Sequence, residues 1–436
     1  MRWDSSWSAL VRAVLQFAES GRDAEIVPHL RTAAEQCALA GDHVAACERV
    51  KLALHFDNRD LTLWDLYGRT HRPEDAAAWP GRADIVFYTG HPFGGRLPFP
   101  SELAHCPTGG SESVLLLMAQ TLAALGQRVI VFGQFPEARH DAGVYCFPLL
   151  DFFPYQRAHG LPVCIVSRFY QPFLNEFRAA RRIFWLHDIV MPNYRALYQR
   201  MDAQVDEYWM LSAYQQHCYV ERCGIAPTKC WQTTNAIDPQ FFPAPLSFSQ
   251  RRRGQLVYTS RPSRGLGILL RAFAALRAVM PNCTLHVCTY TPHAVREDPE
   301  LRPFLAQLDD PAITVAAYGK QALAQLLRES HVYLYPNTSE LETSCLAAIE
   351  AMAAGTPVVT SDRGCLRETV PHPCAGTVIP WSADEDTLTQ QCVAAVRPYL
   401  QDESIWQAAA DAAYAHAMQR HDAHGVARQW LRRLGF

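Results

Sequence analysis

Two series of short apolar segments, each alternating with helical segments, constrain the fold of this 436-residue chain more than any other feature. The first series opens with a strand predicted at 84–89, which leads into a long loop rich in glycine and proline. A helix over 113–125 and a second strand over 128–132 follow. Because strands joined through a helix lie parallel, this spacing predicts an α/β domain built on a parallel sheet.

The second series begins at 256–259, after a polar segment over 238–253 that is rich in proline and arginine. The arginine run within that segment, 251–253, is interpreted as a solvated linker. Further strands are predicted at 163–167, 182–186, 207–211, 229–233, 284–288, 313–317, 332–335 and 358–360, with helices at 267–280, 321–329 and 345–354. The sequence therefore predicts two doubly wound domains, with a ligand site in the cleft between them.

The first 80 residues have helical spacing only. Within them, 41–68 resembles one tetratricopeptide-type repeat, with Gly41, Ala45 and Ala53 where small residues let two helices approach and a polar break at 57–60. A single repeat cannot bury its own face, so it docks on the rest of the chain or on a partner. A plain helical cap explains the pattern equally well.

These patterns divide the chain into four parts. A helical segment over 1–80 precedes a first α/β domain over 81–245 and a second over 246–415, and a C-terminal helix over 416–436 crosses back to the first domain. Three apolar residues are expected to anchor that helix: Trp430, Leu431 and Leu434.

Composition excludes several classes of protein. The formal net charge of −3 gives no bulk attraction to nucleic acid or to an anionic membrane. The 14 cysteines form no Cys-x-x-Cys pair or zinc-type spacing, which indicates a reduced, cytoplasmic protein without a bound metal. The N-terminus is a poor signal peptide, and no stretch of about 20 apolar residues predicts a membrane span.

The most informative stretch runs from a strand ending at Tyr335 through a polar loop into a short, alanine-rich helix. Thr343 or Ser344 is predicted to cap that helix, whose first free N–H groups form an anion site. Glu350 lies in the second turn of a helix that is otherwise small and apolar. A carboxylate so placed needs hydrogen-bond donors, and ribose hydroxyls are suitable ones.

The spacing Glu342-x7-Glu350, followed by Ala-Met-Ala-Ala-Gly-Thr-Pro-Val-Val, resembles the E-x7-E signature of retaining GT-B glycosyltransferases in the glycosyltransferase 4-like superfamily. The resemblance covers most of 84–430 and implies two Rossmann-like domains facing across a cleft. It implies a retaining hexosyltransferase that uses a nucleotide diphosphate-sugar and needs neither cofactor nor metal. Glu350 would bind the ribose, and Glu342 would lie beside the donor sugar.

The same resemblance assigns the diphosphate to the loop before this helix. Thr343 and the backbone N–H groups of Ser344, Cys345 and Leu346 would hold it. The family's usual Gly-Phe-Gly after the first glutamate is replaced here by Thr343-Ser344-Cys345. The identity of the sugar therefore does not carry over.

Arginines after the first strand of the second domain match a further family feature. Arg261 and Arg264 stand where relatives place an arginine and a lysine against the diphosphate, although the spacing is shorter than R-x4-K and the lysine is replaced. Guanidinium groups suit phosphate oxygens and would stabilise the charge of the leaving diphosphate. The alternative is a pair of surface arginines in a turn.

Three weaker motifs complete the predicted site. Gly109 and Gly110 resemble a Gly-Gly-x-Glu turn, with Gly110 facing the donor and Gly109 the acceptor side. In Trp-Leu-His-Asp, His187 would bind a sugar hydroxyl and Asp188 would orient it or bind the acceptor, unless the two form a structural pair. The last motif is Gly319-Lys320, which lies where relatives bind the nucleotide. Lys320 can also be explained as a solvated lysine.

The sequence leaves the acceptor open among a glycan, a lipid-linked glycan and a protein. Peripheral contact with the inner face of a membrane also stays open, as does an oligomer or a protein partner bound through the helical segment. Two alternative functions remain: a GT-B epimerase or hydrolase of nucleotide sugars, and a non-catalytic scaffold that works through its N-terminal helices.

Overall fold

The predicted α/β architecture is confirmed by the computed structural model, which describes residues 23–71, 79–92, 94–289 and 292–436. The strands are β1 Ile85–Thr89, β2 Val129–Gly133, β3 Arg139–Asp141, β4 Val144–Pro148, β5 Leu161–Ser167, β6 Ala179–Trp185, β7 Glu207–Met210, β8 Cys230–Gln232, β9 Gln255–Thr259, β10 Thr284–Cys288, β11 Ile313–Ala316, β12 Val332–Tyr335, β13 Val358–Ser361 and β14 Gly376–Ile379. The helices are α1 Asp23–Leu39, α2 His43–Phe56, α3 Leu61–Thr70, α4 Gly110–Ala124, α5 Phe152–His159, α6 Gln171–Leu174, α7 Arg195–Met201, α8 Ala213–Cys223, α9 Leu266–Val279, α10 Pro292–Glu297, α11 Leu305–Leu308, α12 Lys320–Glu329, α13 Leu346–Ala353, α14 Leu366–Thr369, α15 Glu385–Gln401, α16 Glu403–His421 and α17 Ala423–Leu434.

The first domain is built on an eight-stranded sheet in the order β3-β4-β2-β1-β5-β6-β7-β8. All of its pairs are parallel except the β3–β4 hairpin at one edge, which the sequence reading missed. Separate apolar cores cover its two faces, since alternate residues of β1 such as Phe87 and Tyr88 point to opposite sides. A sheet buried on both faces explains why its strands are continuous apolar runs.

The second domain has a six-stranded, wholly parallel sheet in the order β11-β10-β9-β12-β13-β14. Its central strands β9 and β12 are buried along nearly their whole length. In such sheets the loops at the carboxyl ends of the strands build the ligand site. The loop after β9 carries Arg261 and Arg264, and the loop after β12 carries Glu342 and leads into α13, which carries Glu350.

The N-terminal helices α1–α3 share a small apolar core and dock on the first domain. Asn58, which is 3% exposed, donates from its amide nitrogen to the Glu176 carbonyl (2.8 Å) and accepts from the Glu176 N–H (2.8 Å). The polar break lies between α2 and α3, where Asp60 caps α3. The segment therefore packs on the rest of the chain, and its likeness to a tetratricopeptide repeat stays a resemblance; residues 1–22 lie outside those described.

The chain crosses between the domains twice, and the two crossings lie side by side. The Ile237 N–H donates to the His421 carbonyl (2.8 Å), and the Ala423 N–H donates to the Ile237 carbonyl (3.0 Å). Before this point α16 packs in the second core through Trp406, and after it α17 packs in the first core through Trp430. The C-terminal crossing therefore lies at Asp422, a few residues beyond the predicted boundary.

None of the described helices combines the length and the apolar character that crossing a bilayer requires.

The interpretation of the arginine run as a solvated linker is wrong for Arg251, which is 5% exposed. Its guanidinium donates to the carbonyls of Ser330 (2.7 Å), Ala354 (2.9 Å) and Gly355 (2.9 Å) and to the Thr356 hydroxyl (2.7 Å). These acceptors lie at the ends of α12 and α13, where helical carbonyls lack intrahelical donors. Burial lowers the pKa of Arg251 to about 9, so the group remains a cation at neutral pH.

We expect Arg251→Met to lower the free energy of unfolding by about 2–4 kcal/mol, because it leaves several buried oxygens without a donor. Arg253 belongs to the same run but is exposed, so Arg253→Met is the matched control and should change stability by less than about 0.5 kcal/mol. Thermal unfolding followed by tryptophan fluorescence measures both. Equal melting temperatures for the two variants would contradict a structural role for Arg251.

Candidate functional site

The two domains face each other across a cleft whose walls are linked by hydrogen bonds. The Thr343 hydroxyl of the second domain donates to the His187 carbonyl of the first (2.7 Å). Further out, the Glu368 carboxylate accepts from the N–H groups of Ala213 (2.8 Å) and Tyr214 (2.7 Å) at the start of α8. A carboxylate is favoured at a helix N-terminus, so this contact clasps the second domain to the first.

An ion pair organises the second-domain wall. Nη1 of Arg264 lies 2.6 Å from Oε2 of Glu342, which also accepts from the Tyr335 hydroxyl (2.9 Å), while Oε1 accepts from the Cys345 N–H (3.1 Å). Burial by itself lowers the pKa of Arg264, but the Glu342 carboxylate and the Tyr335 hydroxyl outweigh it, so the pKa lies above its ordinary value. Glu342 is only 8% exposed, and its carboxylate accepts hydrogen bonds from three donors.

The prediction that Thr343 or Ser344 caps the helix is wrong. The N-cap of α13 is Cys345, in the left-handed region (φ 37°), and it makes no side-chain cap. The Thr343 hydroxyl is directed across the cleft to His187 instead, and Glu342 takes the Cys345 N–H. At the start of α13, the N–H groups of Leu346 and Ala347 have no acceptor among the described residues. Both residues line the cleft.

A cavity of about 240 Å³ occupies the centre of the cleft and is called the central cavity here. It brings together most of the predicted site: Arg261, Arg264, Glu342, Thr343, Cys345 and Leu346 from the second domain and Gly109, Gly110, His187 and Asp188 from the first. Arg261 is exposed, so its guanidinium can turn toward a ligand. Ser344 is 4% exposed and lies behind this wall rather than in it.

Two residues that line the central cavity each carry a buried polar atom without a hydrogen-bond partner in the part of the chain that the structure describes. The atoms are Nε2 of His187 and Oδ1 of Asn235, a residue that is 7% exposed. Buried polar atoms without partners are costly, and these two belong to residues of the first-domain wall of the cleft. Burial lowers the pKa of His187 to about 4 against the opposing charges of Asp188 and Glu112, so its imidazole is neutral at physiological pH.

A smaller cavity of about 90 Å³ continues from the central one along the second domain and is called the side cavity here. Glu350 and Lys320 lie in its wall, with Nζ of Lys320 2.5 Å from Oε1 of Glu350. The sequence predicted both residues as nucleotide ligands but not that they pair. Lys320 fixes the carboxylate against the cavity wall, and 7% of Glu350 remains exposed.

Gly319 does not line either cavity. A Cβ built on it would lie 2.4 Å from the His105 carbonyl oxygen of the first domain, and the next backbone contact is the Gln321 N–H donating to the Ala104 carbonyl (3.0 Å). The lack of a side chain at Gly319 therefore permits the two domains to touch. Its predicted contact with the nucleotide base stays a prediction.

Sequence reasoning missed Arg168, which follows β5 directly. Its Nε and Nη2 donate to Asp188 (2.6 and 3.2 Å), and its Nη1 donates to Glu112 (3.1 Å) and to the Ser111 hydroxyl (3.3 Å). Asp188 thus pairs with an arginine rather than with His187. Its position directly after a parallel strand could have indicated a role in the site, because residues at the carboxyl ends of parallel strands face the ligand site.

Within the described ranges no group of three or more His, Cys, Asp or Glu residues is arranged to hold a metal ion, and all 14 cysteines are free thiols. Independence from metal stays a prediction.

Comparison with known families adds a finding to this geometry. Residues 253–397 match the model of the family described as "Glycosyl transferases group 1". The matched segment lies within the second domain and covers about a third of the chain. The match includes the predicted arginines Arg261 and Arg264 and both glutamates of the E-x7-E spacing, so the predicted resemblance to glycosyltransferases is confirmed on the residues that suggested it.

Relatives and solved structures extend the comparison beyond that domain. The MMP alpha-(1->4)-mannosyltransferase of Mycolicibacterium hassiacum is 28% identical over 195 residues, which are 44% of this chain and 45% of that protein. The chain thus spans less than half the length of this curated relative. Sucrose-phosphate synthase from Thermosynechococcus elongatus superposes with a TM-score of 0.62 at 17% identity over 81% of this chain and 98% of the other.

Anabaena HepE, solved in complex with UDP and glucose, superposes with a TM-score of 0.58 at 16% identity, covering 81% of this chain and all of its own. At such identities the likeness establishes the fold alone. The GT-B fold predicted for the two α/β domains is confirmed.

We expect the His187 imidazole to stay neutral from pH 8 to pH 5. The unfolded chain takes up this proton near pH 6.5 and the folded chain only near pH 4, so the neutral ring supports folding fully above 6.5 and less as pH falls toward 4. Histidine ring NMR, with the resonance assigned by its loss in His187→Gln, measures the titration. A midpoint near 6.5 would contradict the burial of this ring.

Proposed function

We propose that the protein is a retaining glycosyltransferase that moves a hexose from a nucleoside diphosphate sugar to an acceptor hydroxyl without a metal ion. One observation carries the proposal: a single cleft joins a cationic wall with free helix N–H groups, two polar atoms that lack partners, and a carboxylate in an adjoining cavity. This arrangement matches the three parts of such a donor, which are a nucleoside, a diphosphate and a sugar.

The cationic wall suits the diphosphate. Arg264 is held by Glu342 and Arg261 is free to turn, and the N–H groups of Leu346 and Ala347 at the start of α13 face the same cavity. Guanidinium forks and helix N-termini both favour phosphate oxygens. These groups would also stabilise the charge that develops on the diphosphate as it leaves.

The side cavity suits the nucleoside. Glu350 accepts from Lys320 through one oxygen, which leaves its other oxygen as an acceptor for a ribose hydroxyl. Because the side cavity continues into the central cavity at Gly110 and Leu346, a nucleoside there would direct its phosphates toward Arg261 and Arg264. The UDP in the HepE structure is consistent with a nucleoside diphosphate ligand in this fold.

The chemistry proposed needs no protein nucleophile. Glu342 is tied by three hydrogen-bond donors, which makes its oxygens poor nucleophiles. The acceptor oxygen would therefore bond to the anomeric carbon on the face from which the diphosphate departs. The bond between that carbon and the diphosphate breaks, and the acceptor proton passes to a diphosphate oxygen. His187 and Asn235 would bond the sugar hydroxyls.

The first test is a thermal-shift panel of UDP, GDP, ADP and TDP on the wild type and on Glu350→Ala. We expect one diphosphate at about 100 times its dissociation constant to stabilise the wild type by about 2.7 kcal/mol and to stabilise Glu350→Ala much less. Glu385→Gln, in an exposed part of α15, is the matched control and should respond as the wild type does.

Arg264→Lys separates the phosphate role from the ribose role in the same panel. It keeps the charge next to Glu342 but loses the planar fork, so it should weaken binding of the diphosphate more than binding of the corresponding nucleoside. If no diphosphate stabilises the folded wild type, the donor site proposed here does not exist, and a scaffold acting through α1–α3 becomes the better interpretation.

With the donor identified, the product reports both the stereochemistry and the metal requirement. We expect transfer in excess EDTA at the rate seen without chelator, and an anomeric NMR coupling in the product that matches the configuration of the donor. An inverted product would refute retention, and a rate abolished by EDTA and restored by Mg²⁺ would refute metal independence. Release of free sugar or an epimerised donor with every acceptor would identify a hydrolase or epimerase instead.

A further inference from the structure

A second opening in the first domain adjoins the central cavity and is called the tyrosine cavity here. It encloses about 260 Å³ and is lined by Tyr170, Tyr194, Tyr198, Tyr219, Ile189 and Met191. It shares Arg168, His187 and Asp188 with the central cavity, so the two volumes meet at these side chains. A molecule in the tyrosine cavity would therefore lie next to a donor sugar in the central one.

Arg168 lies where the tyrosine cavity meets the central cavity, a place called the junction here. Its neighbours hold its backbone in an unusual conformation. Its φ of 71° lies in the left-handed region, which a residue with a side chain adopts at a cost of about 1–3 kcal/mol. Its backbone N–H donates to the Trp185 carbonyl (3.1 Å), and its guanidinium is shared between Asp188 and Glu112. Such strain persists where a side chain must be held in one place.

The junction carries net negative charge, because two carboxylates face one guanidinium there. Asp188 is the more exposed of the two, with 57% of its side chain accessible against 27% for Glu112. An exposed carboxylate accepts hydrogen bonds from hydroxyls and repels other anions. Arg168, already paired twice, offers little attraction to a phosphate or carboxylate group.

The outer wall of the tyrosine cavity presents apolar surface. Tyr194 and Met191 are 41% and 49% exposed and present apolar surface, while the Tyr219 hydroxyl donates to the Asp188 carbonyl (3.1 Å) and so fixes the inner wall. Aromatic and thioether groups pack well on the apolar faces of ring compounds. Apolar walls leading to a carboxylate fit a molecule that has both a ring face and hydroxyl groups.

We propose that the tyrosine cavity is an acceptor subsite selective for uncharged glycosides, and that Arg168 is the positioning residue that sets this selectivity by holding Asp188 and Glu112. The inference rests on the proposed glycosyltransferase function and narrows its acceptor. It excludes acceptors with a phosphate or carboxylate on the ring that enters the tyrosine cavity.

The test compares p-nitrophenyl β-D-glucoside with p-nitrophenyl β-D-glucuronide, which differ by a hydroxymethyl group against a carboxylate. Dissociation constants are measured by saturation-transfer difference NMR on the full chain, with and without the diphosphate selected by the thermal-shift panel. We expect the wild type to bind the glucoside at least tenfold more tightly. In the double variant Glu112→Gln/Asp188→Asn, Arg168 loses both counter-charges, so the preference should reverse toward the glucuronide.

Two further variants keep the test decisive. Arg168→Gln should weaken glucoside binding, because Asp188 is no longer held, without creating a preference for the glucuronide. Arg178→Gln, which removes an exposed arginine paired with Glu176, should leave both constants unchanged. Circular dichroism and the diphosphate thermal shift establish that each variant is folded with an intact donor site.

Failure of this inference is distinguishable from failure of the proposed function. If the diphosphate binds but neither glycoside does, or if the glucuronide binds the wild type as tightly as the glucoside, the acceptor proposal is refuted while the donor site stands. An unchanged ratio of the two constants in the double variant would also refute it. If no diphosphate binds, the donor proposal itself fails.

Discussion

The ion pair between Arg264 and Glu342 is the contact on which the arrangement of the cleft depends. It joins the loop after β9 to the loop after β12, and Tyr335 and the Cys345 N–H fix the same carboxylate. Because buried charges are tolerated only when they are paired and hydrogen-bonded, neither loop can move alone without exposing an unsatisfied group. The same carboxylate holds both Arg264 and the Cys345 N–H, next to the free N–H groups at the start of α13.

Close backbone approach then brings the remaining parts of the site into place. Gly364, at φ 64°, lies so near the Glu342 backbone that a Cβ would come within 2.7 Å of the Glu342 carbonyl oxygen. Gly319 lets the start of α12 touch the first domain, and the next residue, Lys320, pairs with Glu350. At both positions a side chain would collide with backbone, so only glycine permits the close approach. The neighbouring residues Lys320 and Glu342, not the glycines, line the cavities.

Much of the fold could be predicted from the sequence because parallel strands buried on both faces are continuous apolar runs. The strands predicted in this way at 284–288 and 332–335 have the same first and last residues in the structure. The β3–β4 hairpin escaped because its outer strand is polar and largely exposed. Arg251 escaped because its partners are carbonyls of helices distant in sequence, and Arg168 because its partners come from two segments that are distant from it in sequence. The local pattern of apolar residues indicates which residues are buried and whether a segment is a helix or a strand. Pairings between distant segments form only in the assembled fold.

The paired crossings near Ile237 and Asp422 have a mechanical consequence. Each crossing is anchored at its ends, the first by Arg251 in the second domain and the second by Trp430 in the first domain. The two crossing segments are bonded to each other at Ile237 and Asp422, so neither can shift along its length without the other. Asn235 lies two residues before this bridge and lines the central cavity, so the domains are linked at the edge of the candidate site itself.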